Sequence, residues 1–167
     1  MSAAKVPDET CQTPLLVDID ALRVYLPHTG AMCLLAGVRS FDQDSIECLA
    51  TNHRHPAHPL RAAGRLGAAC GVEYAAQAMA IHGALSQAGR VVPAPIGAIV
   101  GVRHVRFEVD RLDQIEQDLV VTCHRLAHDG GGAMYDFRIL ASDRVLLSGR
   151  VMVAWTKPSP PSRVEVS

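Results

Sequence analysis

Glu73 stands inside Gly64 to Leu85, a run built almost wholly from small and apolar residues, with no lysine within four positions of it. A carboxylate in such company either faces water or sits where its charge or proton is used. His53, His55 and His58 lie just upstream. A desolvated acid near histidines is the raw material of general acid–base chemistry. Gln77 follows Glu73 by one helical turn on the same face, placed to orient the carboxyl; a structural amide satisfying backbone fits that position equally well. His82 is nine positions from Glu73 and falls on the opposite face of the same helix. The H-x-H-x-x-H pattern of residues 53–58 offers no cysteine or acid to complete a four-ligand metal site, so no metal is expected.

These residues need a long helix, and residues 64–88 read as one, closed by Gly89. Its Ala and Gly content lets other backbone come close on most sides, which suits a helix wrapped by a sheet. Ahead of it, Asp18 to Tyr25 reads as a short helix ending before Leu26-Pro27. Met32 to Val38 reads as a buried extended segment, Ser45 to Thr51 as a strand, and residues 52–63 as a loop. Behind it, Gly97–Val109, Leu119–Leu126, Met134–Ala141 and Val145–Trp155 read as antiparallel strands, with turns at 128–132 and 143–144. The fold class is α+β: one domain over residues 18–155, with a loose lead-in over 1–17 and a flexible tail over 156–167.

The chain has 167 residues, 49% of them hydrophobic, and a net charge of −1. That size suits one domain with a real core. The near-zero charge provides no field to draw nucleic acid or an anionic membrane. The five cysteines, Cys11, Cys33, Cys48, Cys70 and Cys123, show no C-x-x-C spacing and read as reduced thiols. No signal peptide or membrane-spanning run is visible, so a cytoplasmic protein is expected.

Leu26 to Leu35, Glu73 to Ala78 and Gly101 to Phe107, in that order, resemble stretches of the hotdog-fold 3-hydroxyacyl-acyl carrier protein dehydratases, and among them the divergent branch of aryl polyene-type dehydratases. Leu26-Pro27-His28 followed by Met32-Cys33-Leu34-Leu35 is similar to the family's L-P-H-R-x-P-F-L-L entry. Glu73-Tyr74-Ala75-Ala76-Gln77-Ala78 is similar to its E-A-x-A-Q-A helix motif, and Gly101 to Phe107 to the strand that follows. The likeness covers residues 20–155. It implies a single hotdog domain, a long central helix wrapped by an antiparallel sheet. The family's G-H-F-P-G, which carries its catalytic histidine, is absent; an ungapped count from Glu73 falls on Pro59, and a one-residue shift brings in His58.

The implied activity is removal of water from a 3-hydroxyacyl thioester in fatty-acid or polyene-type biosynthesis, with no cofactor. His58 takes the C2 proton and Glu73, holding a proton as burial favours, protonates the departing oxygen. Backbone N–H groups of Gly67 and Ala68 at the helix start hold the enolate-like oxygen. Gln77, His53 and Arg61 complete the substrate-binding set. Leu66, Cys70, Met79 and Ile99 are the expected walls of an acyl tunnel. Arg54, Arg61 and Arg65 form either a solvated face or the dock for an acidic acyl carrier protein or its phosphopantetheine phosphate. The substrate arrives on acyl carrier protein or coenzyme A, and the chain pairs with itself or another hotdog protein. Two alternatives stand beside this one: a catalytically weak hotdog subunit supporting an active partner, and an acyl thioesterase using Glu73 as base or nucleophile.

Overall fold

The structure, a computed structural model, describes residues 14–23, 26, 28–86 and 97–155. The elements in chain order are β1 (Val17–Asp18), α1 (Ile19–Leu22), β2 (Gly37–Phe41), β3 (Ser45–Ala50), α2 (Gly71–Leu85), β4 (Gly97–Phe107), β5 (Leu119–His128), β6 (Gly132–Ala141) and β7 (Arg144–Trp155). The strands form one antiparallel sheet in the order β1-β2-β3-β5-β6-β7-β4. The α+β arrangement of a sheet around one long helix is the one expected.

Period-two alternation builds the core. Ile46 and Cys48 of β3, Val121 and Cys123 of β5, and Tyr135, Phe137 and Ile139 of β6 are buried with Tyr74, Ala75, Ala78 and Ile81 of α2. Gly71 lets β7 approach the helix, since a Cβ there would lie 2.7 Å from Leu147 Cδ2. The helix packs on β3, β5 and β6. β4, bonded to β7 alone, is the outer strand and is exposed along most of its length.

The expected helix over 64–88 is corrected at its start: the α-helix begins at Gly71, after a 3₁₀ turn at Ala68–Cys70. Ala63 and Gly64 both take positive φ, 49° and 71°, which breaks any helix there. The backbone just after them is engaged elsewhere, Ala68 N–H donating to Asp110 O and Leu66 O accepting from Leu112 N–H. The expected end at Gly89 lies outside the described residues, as do Tyr25, Pro27, residues 1–13 of the lead-in and the tail. The first helix is one turn, Ile19–Leu22, with Asp18 accepting from Asp20 N–H at 2.8 Å. The extended reading of 32–38 is also corrected: Gly30–Met32 forms a 3₁₀ turn and the strand runs over Gly37–Phe41. The four later strands fall where β-branched residues placed them.

Candidate functional site

Glu73 lies in the first turn of α2, its side chain 29% exposed. Gln77, one turn on, is fully buried, and its amide is fixed by what surrounds it. Its Oε1 accepts from Leu34 N–H at 2.9 Å, and its Nε2 donates to Met32 O at 2.8 Å. The second Nε2 hydrogen goes to Glu73 Oε1 at 3.1 Å. A carbonyl accepts only and a backbone N–H donates only, so the amide cannot be flipped. Gln77 thereby pins the segment 28–34 to the helix and hands Glu73 a permanent donor. Glu73 and Gln77 meet as their spacing predicts.

The imidazole beside Glu73 is His28, with Nε2 3.1 Å from Glu73 Oε1. Its Nδ1 is buried and has no hydrogen-bond partner among the described residues. Cys33 Sγ caps the same segment by donating to His28 O at 3.3 Å. Because Oε1 already takes a hydrogen from Gln77, a proton on the Glu73 carboxyl belongs on Oε2. The pair is an acid with one oxygen anchored, one oxygen without a partner among the described residues, and a histidine at its side.

The expected meeting of Glu73 with His58 is corrected. His58 is buried against Tyr74, the next residue along the helix but on its core side. Leu60 N–H donates to His58 Nδ1 at 3.2 Å, so Nε2 carries the hydrogen and gives it to the Tyr74 hydroxyl at 2.9 Å. Tyr74 passes its own hydrogen to Asn52 Oδ1 at 2.9 Å. Both ring nitrogens are engaged, and no lone pair is left to act as a base. Burial first, then the charges of Arg61, His53 and His55, lowers the His58 pKa and keeps the ring neutral.

The other expected site residues are scattered around that loop. His53 is fully buried and holds Ile115 O through Nε2 at 3.0 Å; burial is the main cause of its lowered pKa. Arg61 is corrected from a substrate contact to a loop clamp. It donates to Gly64 O at 2.8 Å and Arg54 O at 3.2 Å, and faces Asp113 Oδ2 at 3.5 Å. Asp113, 6% exposed, also accepts from Arg111 Nε at 3.1 Å and Leu66 N–H at 3.0 Å. The Arg111 hydrogen bond above all holds its carboxyl far below the ordinary range. Arg54 pairs with Asp118 at 3.0 Å. The Ala68 N–H is already bonded to Asp110 O at 3.0 Å, which corrects its expected role as an oxyanion donor. Gly67 sits opposite Arg111 between the two bonds of that bridge, which leaves its own N–H outside the pairing. The expected tunnel walls do not face one space: Leu66 and Met79 are core residues, whereas Ile99 is exposed on β4. His82, set aside on sequence grounds, is buried between the Tyr135 hydroxyl and Asp42 O at 2.9 and 3.1 Å. A depression of about 460 Å³ lies away from Glu73, on the sheet beside Ser40, Phe41, Glu47, Thr122, His124 and Arg138.

Sequence reasoning did not single out His28, although the L-P-H entry contained it. The available signal was Gln77, a buried amide in a helix that has to be satisfied by a distant segment. A family model described as ApeP-like, ApeP dehydratase, matches residues 21–163. The chain belongs to the ApeP-like dehydratase family. It is a dehydratase-like hotdog protein, as the resemblance implied. Among solved structures it is similar to the dehydratase heterocomplex ApeI:P from Xenorhabdus doucetiae, at 24% identity and a TM-score of 0.73, covering 82% of this chain and 91% of that one. It is also similar to a thioesterase-like protein from Silicibacter sp. TM1040, at 15% identity and a TM-score of 0.59, covering 87% and 96%. AziG from S. sahachiroi matches at 11% identity and a TM-score of 0.53, covering 72% and 90%. At these identities the structural matches establish the hotdog fold. No curated protein matches the sequence. Among the described residues no helix is long and apolar enough to cross a membrane.

Proposed function

We propose that this ApeP-like chain supplies the carboxylic acid of a 3-hydroxyacyl thioester dehydratase of the fatty-acid or polyene type, as one half of a two-chain hotdog assembly. The observation that carries this reading is the Glu73 carboxyl, anchored at Oε1 by Gln77 and His28, with no partner at Oε2 among the described residues. In the reaction a base removes the C2 proton, the electron pair forms the C2–C3 double bond, and the C3 hydroxyl leaves as water on taking the Glu73 proton. His28 takes the place foreseen for His58 as the imidazole coupled to the acid. Among the described residues its buried Nδ1 has no hydrogen-bond partner, and Nε2 faces the carboxyl.

The partner is a second hotdog chain, and a heteromeric one is favoured by the likeness to a protein solved as the ApeI:P heterocomplex. The outer strand β4 supports the pairing, since Ile99, Val100, Val102 and Phe107 are exposed along it. The substrate is carried on acyl carrier protein or coenzyme A. The cytoplasm is the proposed compartment; Cys33, Cys48, Cys70 and Cys123 are all free thiols, which suits it.

A second reading has one specific observation in its favour. With both His58 nitrogens engaged by Leu60 and Tyr74, this chain fits a subunit with little activity of its own that supports an active partner. One assay separates the two. A 3-hydroxyacyl-carrier thioester is incubated with the chain alone and with a hotdog dehydratase of the ApeI kind, and the products are weighed by mass spectrometry. Loss of one water with the chain alone supports its own dehydratase activity; loss only in the mixture supports the subunit reading. Free thiol without enoyl product overturns both in favour of a thioesterase.

A further inference from the structure

The middle of β4 is irregular. Arg103 pairs with Arg150 and Arg106 with Ser148, so His104 and Val105 together oppose Gly149 alone. This is a β-bulge of two residues against one. Gly149 makes room for it: a Cβ there would lie 3.2 Å from Val105 Cγ2 and 2.9 Å from the Phe137 ring. His104 takes φ 53°, in the left-handed region where bulges of this kind usually carry glycine. The other two non-glycine residues with positive φ, Ala63 and Ser142, lie outside the strands, Ser142 at the β6–β7 turn; His104 alone among the described residues lies within one.

The charge at this bulge is of one sign. Arg103, His104 and Arg106 are exposed and make no ion pair or side-chain hydrogen bond among the described residues. On the neighbouring strand Arg150 is committed to Asp136, at 2.6 and 3.0 Å. Glu108, just past the strand end, is the nearest acid in sequence. The apolar residues Ile99, Val100 and Val102 on one side and Phe107 on the other invite a second chain. Were that chain an antiparallel copy centred on the bulge, Arg103 and Arg106 of the two copies would stand opposite or diagonal to one another. Like charges so placed are destabilising, and bulges with edge charges are the means by which proteins block self-pairing at open strands.

Building on the two-chain reading above, we infer that the bulged basic stretch Arg103–His104–Arg106 selects a different hotdog chain, one with acidic residues on its facing edge, over a second copy of this chain. The basic stretch acts by repulsion of the wrong partner as much as by attraction of the right one.

Sedimentation of the purified chain tests this. Wild type and the double variant Arg103→Ser/Arg106→Ser are each run in about 50 mM and about 500 mM salt, conditions that leave charge repulsion intact or largely screen it. Self-association is expected to be weakest for wild type at low salt and to tighten roughly tenfold either with salt or with the double substitution. An equal dissociation constant in all four samples overturns the inference. So does a tight wild-type dimer at low salt, and so does a chain that stays monomeric throughout, since repulsion would then not be what limits pairing. The salt arm on wild type decides the matter even if the variant folds poorly. Water loss assayed separately on the same samples reports on the proposed function, so the two can fail independently.

Discussion

Replacing Gln77 by leucine removes three hydrogen bonds at once and leaves Leu34 N–H and Met32 O facing apolar side chain. A buried polar group left unpaired costs about 1–3 kcal/mol. Met32 is only half-buried, so the two groups together cost about 2–4 kcal/mol. At this chain length that lowers the thermal midpoint by roughly 5–15 °C. The cost of leaving Leu34 N–H and Met32 O unpaired does not depend on pH, because neither group titrates. Gln77→Glu behaves differently. One carboxylate oxygen still accepts from Leu34 N–H, but the other replaces a donor and faces Met32 O and Glu73 Oε1, which lie 2.8 and 3.1 Å from the present Nε2. Two acceptors and a neighbouring carboxylate favour the protonated acid, so the folded-state pKa of the new group is raised above about 4.3. Its stability relative to wild type is then nearest to wild type in acid and falls as pH rises through the ordinary glutamate range toward the folded value. Urea unfolding of wild type and both variants between about pH 4 and pH 8 reads this directly. A Gln77→Glu deficit that is flat with pH, or a Gln77→Leu variant as stable as wild type, refutes the assigned amide orientation and the anchoring of Glu73 with it.

Other expectations follow from the same contacts. His53, His58 and His82 all have pKa values lowered chiefly by burial, so the unfolded chain binds protons that the folded chain refuses. Stability is therefore complete above about pH 6.5 and is lost as pH falls below it, which chemical denaturation at stepped pH will show. Tyr74→Phe removes the hydroxyl that joins His58 to Asn52, leaving both without that partner, and is expected to cost about 1–3 kcal/mol in the same assay. Asp113→Asn weakens the clamp on Arg61 and Arg111; it is expected to cost about 2–4 kcal/mol and to raise protease cleavage between residues 52 and 67, a rise absent from Tyr74→Phe if the two networks are separate.

The parts legible in the sequence were those set by local pattern. Glu73 and Gln77 meet because four residues make one helical turn, and the four later strands show β-branched and apolar runs ended by turn residues. Legible too was the family, because three motifs occur in order. What escaped was set by contacts between distant segments. The helix start at Gly71 depends on residues 66–68 bonding to residues 110–112, a pairing no local pattern announces. His28 reaches Glu73 because Gln77 ties down Met32 and Leu34, a link visible only once the helix and the entry segment are packed together. His58 is one position from the motif, yet it packs against Tyr74, and the single helical step from Glu73 to Tyr74 leads into the core. Arg61 looked like a free cation in a polar loop, and nothing in that loop foretold Asp113 facing it from 52 residues downstream.

The most direct test of the account is the rate at which a 3-hydroxyacyl-carrier thioester loses water in the presence of this chain and its hotdog partner, compared between wild type and Glu73→Gln. The glutamine keeps the shape and the anchoring at Oε1 but has no proton to give. The account predicts a fall of about a hundredfold or more, with the complex still formed. Water loss at the wild-type rate from Glu73→Gln would contradict it.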